Sequence, residues 1–68
     1  MRIRELRQSK NMAQYYLASE MGVSQSVVAN WESETALPRT RELPRLARVL
    51  DRTIDELFDP AYLEASGV

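Results

Sequence analysis

Leu17-Ala18, Gly22-Val23, Val28 and Trp31 stand at intervals that few folds can accommodate. Apolar residues three and four apart share one helix face, so Leu17, Ala18 and Met21 belong to a helix near 14–21. Gly22 ends it, because glycine takes positive φ without penalty. Ser24 is a good N-cap for a further helix running to about Ser33, which turns Val28 and Trp31 inward. Two helices joined by so short a turn cross steeply, and the crossing explains the residue sizes. Ala18 is small where the second helix approaches its backbone, and Val23, Val28 and Trp31 close the wedge between the two. The second helix then protrudes, with Gln25, Ser26, Ala29 and Asn30 on its outer face.

The remaining apolar positions keep a helical period, with no sustained alternation and no hairpin signal, so the chain reads as all-α. A first helix over about residues 1–10 buries Ile3 and Leu6, and Asn11 is an αL-tolerant stop. Glu32 to Arg39 is a loop, from which Leu37 is expected to pack inward. With Thr40 as N-cap, a fourth helix runs from about Arg41 to Leu50 along the stripe Leu43, Leu46, Ala47 and Leu50. Pro44 then falls in the first turn, where it forfeits little. Thr53-Ile54-Asp55-Glu56 is a capping box that opens a fifth short helix burying Ile54, Leu57 and Phe58. Asp59-Pro60 is a second start signal, and residues 60–65 are expected to add a turn presenting Tyr62 and Leu63. The division is a domain over 1–59 and a short tail over 60–68.

The chain has 68 residues, room for one core. It has no cysteine and no histidine, so disulfides, thiolate metal sites and the commonest general base are all excluded. Without a Gly-rich phosphate loop or a ligand cluster, nothing supports an enzyme, a metal or a cofactor. No apolar run reaches the roughly 18 residues of a membrane span, and Met1 to Arg7 contains no signal-peptide core. A reducing cytoplasm is the expected compartment. The formal net charge is −1, yet the charge is unevenly spread. Residues 1–48 hold eight basic and five acidic side chains, whereas residues 49–68 hold one basic and five acidic. That split suits a body facing a polyanion with its acidic end turned away; a solvated mixed surface gives the same counts.

From Ile3-Arg4-Glu5-Leu6-Arg7 through Met12-Ala13-Gln14, Leu17-Ala18, Gly22-Val23-Ser24, Val28, Trp31-Glu32, Pro38, Leu46-Ala47, Leu50 and Ile54-Asp55-Glu56-Leu57-Phe58, the chain resembles the Cro and phage-repressor helix-turn-helix domains of the XRE family. The resemblance covers residues 3–58. It implies a compact five-helix bundle of the lambda-repressor-like type. It also implies a DNA-binding transcriptional regulator of bacterial or phage type, typically a repressor on operator DNA, located in the cytoplasm at the nucleoid. By position, Gln14 corresponds to a residue that touches phosphate and braces the first residue of the recognition helix. Gln25, Ser26 and Asn30 correspond to base-reading positions. The chemistry agrees, since Gln and Asn can engage adenine bidentately, and the methyls of Val27 and Ala29 suit thymine methyls or the sugar wall. Arg39 and Thr40 correspond to positions near the DNA backbone, and Lys10, Ser24 and Tyr15 extend the expected phosphate contacts, with Arg41 a further addition.

One module of this size buries little DNA, so a homodimer on two half-sites is expected, joined through Leu57, Phe58, Tyr62 and Leu63. No small-molecule ligand is expected. The alternative is a protein-binding role, such as an antitoxin or anti-regulator whose acidic end meets a basic partner. Several residues depart from the family pattern. Ala13 replaces a capping Thr or Ser, and Ser33-Glu34-Thr35-Ala36 replaces a loop that commonly holds Gly and a basic residue. Asp51-Arg52 replaces Gly-Val, and Tyr15-Tyr16 replaces residues that are typically acidic. The tyrosines suit either phosphate contact or packing on the first helix.

Overall fold

The computed structural model describes residues 1–59. Within them the chain forms four α-helices, α1 (Ile3–Ser9), α2 (Gln14–Met21), α3 (Gln25–Glu32) and α4 (Leu43–Val49), and two 3-10 turns, Thr40–Glu42 and Asp55–Leu57. No strand occurs among the described residues. The core is Ile3, Leu6, Leu17, Ala18, Met21, Val28, Trp31, Leu46, Ala47, Leu50 and Leu57, drawn from all four helices and the last 3-10 turn. Arg2 N–H bonds to Leu57 C=O at 2.8 Å, tying the start of α1 to the last 3-10 turn.

All four helices end in the same way. The N–H groups of Met12, Val23, Thr35 and Arg52 reach back five residues to the carbonyls of Arg7, Ala18, Asn30 and Ala47, at 3.1, 3.0, 2.9 and 2.8 Å. This reversal needs a left-handed residue one step earlier. Those residues are Asn11 (φ 54°), Gly22 (φ 69°), Glu34 (φ 62°) and Asp51 (φ 57°). Asn and Asp tolerate the conformation and glycine meets it freely, but Glu34 holds it without either advantage.

Four details differ from the sequence expectations. Where a fifth helix is expected, Asp55–Leu57 makes one 3-10 turn, although the capping box is present, with Glu56 N–H on Thr53 Oγ1 at 3.2 Å and Thr53 N–H on Glu56 Oε1 at 2.8 Å. One turn cannot bury two large side chains, so Leu57 enters the core while Ile54 stays 40 % exposed. Leu37 does not pack inward but is 66 % exposed. The residue before a proline is held extended, neighbours along such a stretch point to opposite sides, and Pro38 is the buried one. Arg39, not Thr40, caps the fourth helical segment, which opens as a 3-10 turn, with Arg39 N–H on Glu42 Oε1 at 2.8 Å. Pro44 does fall within the first turn of α4. The Asp59-Pro60 start signal, the expected turn over 60–65, Tyr62 and Leu63 reach beyond the described residues.

Candidate nucleic-acid interface

Helix α3 is positioned from both ends. At its start Ser24 Oγ accepts Val27 N–H at 3.2 Å, which leaves the Ser24 hydroxyl proton for an outside acceptor. At its end the Glu32 carboxylate is drawn inward, its side chain only 1 % exposed. Arg7 holds it in a fork, Nε to Oε2 at 2.6 Å and Nη2 to Oε1 at 3.1 Å. Arg4 Nε adds a bond to Oε1 at 3.3 Å, and Gln14 Nε2 another at 3.2 Å. Burial raises the Glu32 pKa, but the hydrogen bond and charge of Arg7, helped by Arg4 and Gln14, outweigh it and hold the carboxyl below its ordinary value. Among the described residues no buried side-chain polar atom lacks a hydrogen-bond partner.

Gln14 connects this ion pair to the outer face. Its amide nitrogen is on Glu32, and its carbonyl Oε1 accepts Gln25 Nε2 at 3.2 Å. A line of hydrogen bonds therefore runs from Arg7 on α1, through Glu32 and Gln14, to the first residue of α3. Gln25, Ser26 and Asn30 are exposed together along that helix, with Ala29 half-buried beside them. Val27 packs against the core and offers only part of its surface.

Around this face, Tyr15 and Tyr16 are 67 % and 49 % exposed, so the rings are not hidden by packing on α1. Tyr15 and Tyr16 border an open groove of about 330 Å³ with Lys10, Asn11, Met12 and Ala13. Lys10 Nζ lies 3.9 Å from Asp51. Arg39 and Thr40 are exposed beyond the end of α3. Glu34, exposed in the same loop, lies 3.1 Å from the Met1 amino group.

Of the expected dimer residues, Leu57 has no exposed surface and belongs to the core, which corrects its assignment to a subunit contact. Phe58 is half-buried against the core cluster. Sequence reasoning did not find the burial of Glu32 or its grip on Arg4 and Arg7. The available signal was a carboxylate directly after the core tryptophan, at a helix end that disfavours negative charge. Among the described residues no cluster of three or more metal-ligating side chains occurs, and no helix is long and apolar enough to cross a membrane.

The sequence profile of the helix-turn-helix family matches residues 3–57. The HTH-type transcriptional regulator AnsR of Bacillus subtilis is 39 % identical over 57 residues, which are 84 % of this chain and 49 % of that protein. The HTH-type transcriptional activator BcrR of Enterococcus faecalis is 34 % identical over 57 residues, 84 % of this chain and 28 % of that protein. The chain thus spans half or less of the length of these relatives. With α2 and α3 packed together across the Gly22 turn and a profile match across nearly all the described residues, the chain belongs to the helix-turn-helix family of XRE type.

Proposed function

We propose that this chain is a sequence-specific double-stranded DNA-binding module of a transcriptional regulator. Helix α3 enters the major groove, where Gln25, Ser26 and Asn30 read bases. Gln14, Ser24, Tyr15, Arg39, Thr40 and Lys10 meet phosphates and set the register. The observation that carries this reading is the Gln14–Gln25 hydrogen bond of 3.2 Å, which fixes an otherwise solvated base-reading side chain in advance of binding. The names of both relatives, a regulator and an activator of transcription, agree with it.

A domain this small covers little of a duplex, so the working species is a homodimer on a palindromic operator, with half-sites about one helical turn apart. Phe58 and the segment after it supply the contact between copies. Regulation follows from occupancy, which is repression where the operator overlaps a promoter.

Selection of binding sites from random duplex DNA tests the proposal, followed by titration at two salt concentrations. The expected result is a palindromic site whose affinity falls steeply with salt. Failure to enrich any sequence, or an affinity indifferent to salt, would sink it; a non-palindromic site would sink the dimer alone.

A further inference from the structure

The basic side chains divide into two sets. Arg2, Arg4, Arg7 and Arg52 each lie within 4 Å of a carboxylate and are engaged inside the protein, whereas Lys10, 3.9 Å from an exposed Asp51, is held only loosely. Arg39, Arg41, Arg45 and Arg48 are all exposed, and none has an ion pair among the described residues. Arg41 and Arg45 share the rim of one open groove of about 320 Å³ with Met21 and Glu42. Among the described residues the acid lining it is Glu42, which is turned to Arg39 N–H at 2.8 Å. Arg48 follows Arg45 by three residues and so stands on the same side of α4. The opposite side carries Leu46, Ala47 and Leu50, all buried.

We infer that the outer side of α4 is a second phosphate-binding surface, with Arg45 and Arg48 continuing the backbone track that Arg39 and Arg41 begin. The inference rests on the DNA-binding reading above and extends its footprint to the flank of the site α3 reads. The dimensions agree. The seven steps from Arg41 to Arg48 span about 10 Å at roughly 1.5 Å each, and a DNA strand offers a phosphate about every 3.4 Å along the axis, so the stripe covers roughly three phosphate spacings. Like charges three and four apart on a helix repel, and an anionic partner relieves that repulsion. Guanidinium groups bind phosphate oxygens in a fork, which gives affinity without sequence preference. Continuity with Arg39 and Arg41 favours a nucleic-acid backbone over an acidic protein as the occupant.

The test uses the full chain, the double variant Arg45→Gln/Arg48→Gln, and the selected duplex with about one helical turn of flank on each side. The variant is expected to keep the wild-type circular dichroism, melting curve and selected sequence. The slope of log affinity against log salt should become shallower by about 1.8, or 0.9 for each phosphate that is no longer neutralised. An unchanged slope overturns the inference. Loss of binding to polyglutamate in the variant, with the DNA slope intact, also overturns it and assigns the stripe to an acidic protein. If the wild-type chain binds no duplex, the DNA-binding reading itself fails, an outcome visible before the variant is made.

Discussion

Arg7 Nε donates to Glu32 Oε2 at 2.6 Å, joining α1 to the last residue of α3 with both side chains largely withdrawn from water. Removing Arg7 leaves the buried Glu32 carboxylate with only Arg4 and Gln14 to hold it, and a fully uncompensated charge would cost about 3–5 kcal/mol. Arg7→Met is therefore expected to lose a large part of the stability of the fold, with a clearly lowered urea midpoint by circular dichroism. A native-like spectrum with an unchanged urea midpoint would contradict this.

The same pair sets an acid dependence. Glu32 titrates below its ordinary value of 4.5 in the folded chain, so its contribution is fully present above that value and disappears as pH falls through the lower folded value. Glu56, held down first by Thr53 N–H and the Thr53 hydroxyl, acts in the same direction. Urea midpoints of wild type should be flat above about pH 5 and decline below 4.5. Glu32→Gln should be less stable at neutral pH and show a shallower decline; an identical decline would locate the acid sensitivity elsewhere.

Helix α2 begins without a side-chain cap. Ala13 has φ −72° and ψ 152°, the backbone of an N-cap, but no oxygen to offer. Ala13→Ser should raise stability by about 1 kcal/mol and the melting temperature by about 4–8 °C. A calorimetric scan indistinguishable from wild type would show that the N–H groups there are already satisfied by water.

Strain at Glu34 separates from its charge. Its φ of 62° costs a non-glycine side chain about 1 kcal/mol or more, so Glu34→Gly should be stabilised and Glu34→Ala should not. Both substitutions remove the carboxylate and its 3.1 Å contact with the Met1 amino group, leaving backbone freedom as the difference. Equal stabilities in chemical denaturation would refute the strain.

Gln14→Leu severs both amide bonds of Gln14 and leaves the Arg7–Glu32 fork in place. The expected result, on the DNA-binding reading, is a folded protein whose discrimination at the base read by Gln25 falls by about 1–3 kcal/mol. Asn30→Ala should relax a different base. Site selection with each variant decides; an unaltered preference in Gln14→Leu would mean that the Gln25 side chain needs no brace.

Much of this was legible in the sequence because the informative residues act locally. Gly22, Ser24, Asn11 and Asp51 mark chain reversals and caps through their own backbone preferences, and Leu17, Ala18, Val28 and Trp31 mark a crossing through size. Leu37 misled, since hydrophobicity alone does not say which way a side chain before a proline points. Ile54 misled because the capping box specifies a start but not how many turns follow. Glu34 escaped notice as a helix terminator, since nothing in its own chemistry favours positive φ. The ion pair of Arg7 and Glu32 spans 25 positions, and only the packing of α1 on α3 brings it together.

The 2.8 Å bond from Arg2 N–H to Leu57 C=O has an architectural consequence. The start of α1 and the last 3-10 turn meet at one point, so residues 2–57 resemble a loop pinched shut at its neck. A pull applied to the two ends of that stretch meets this backbone bond before it reaches the core.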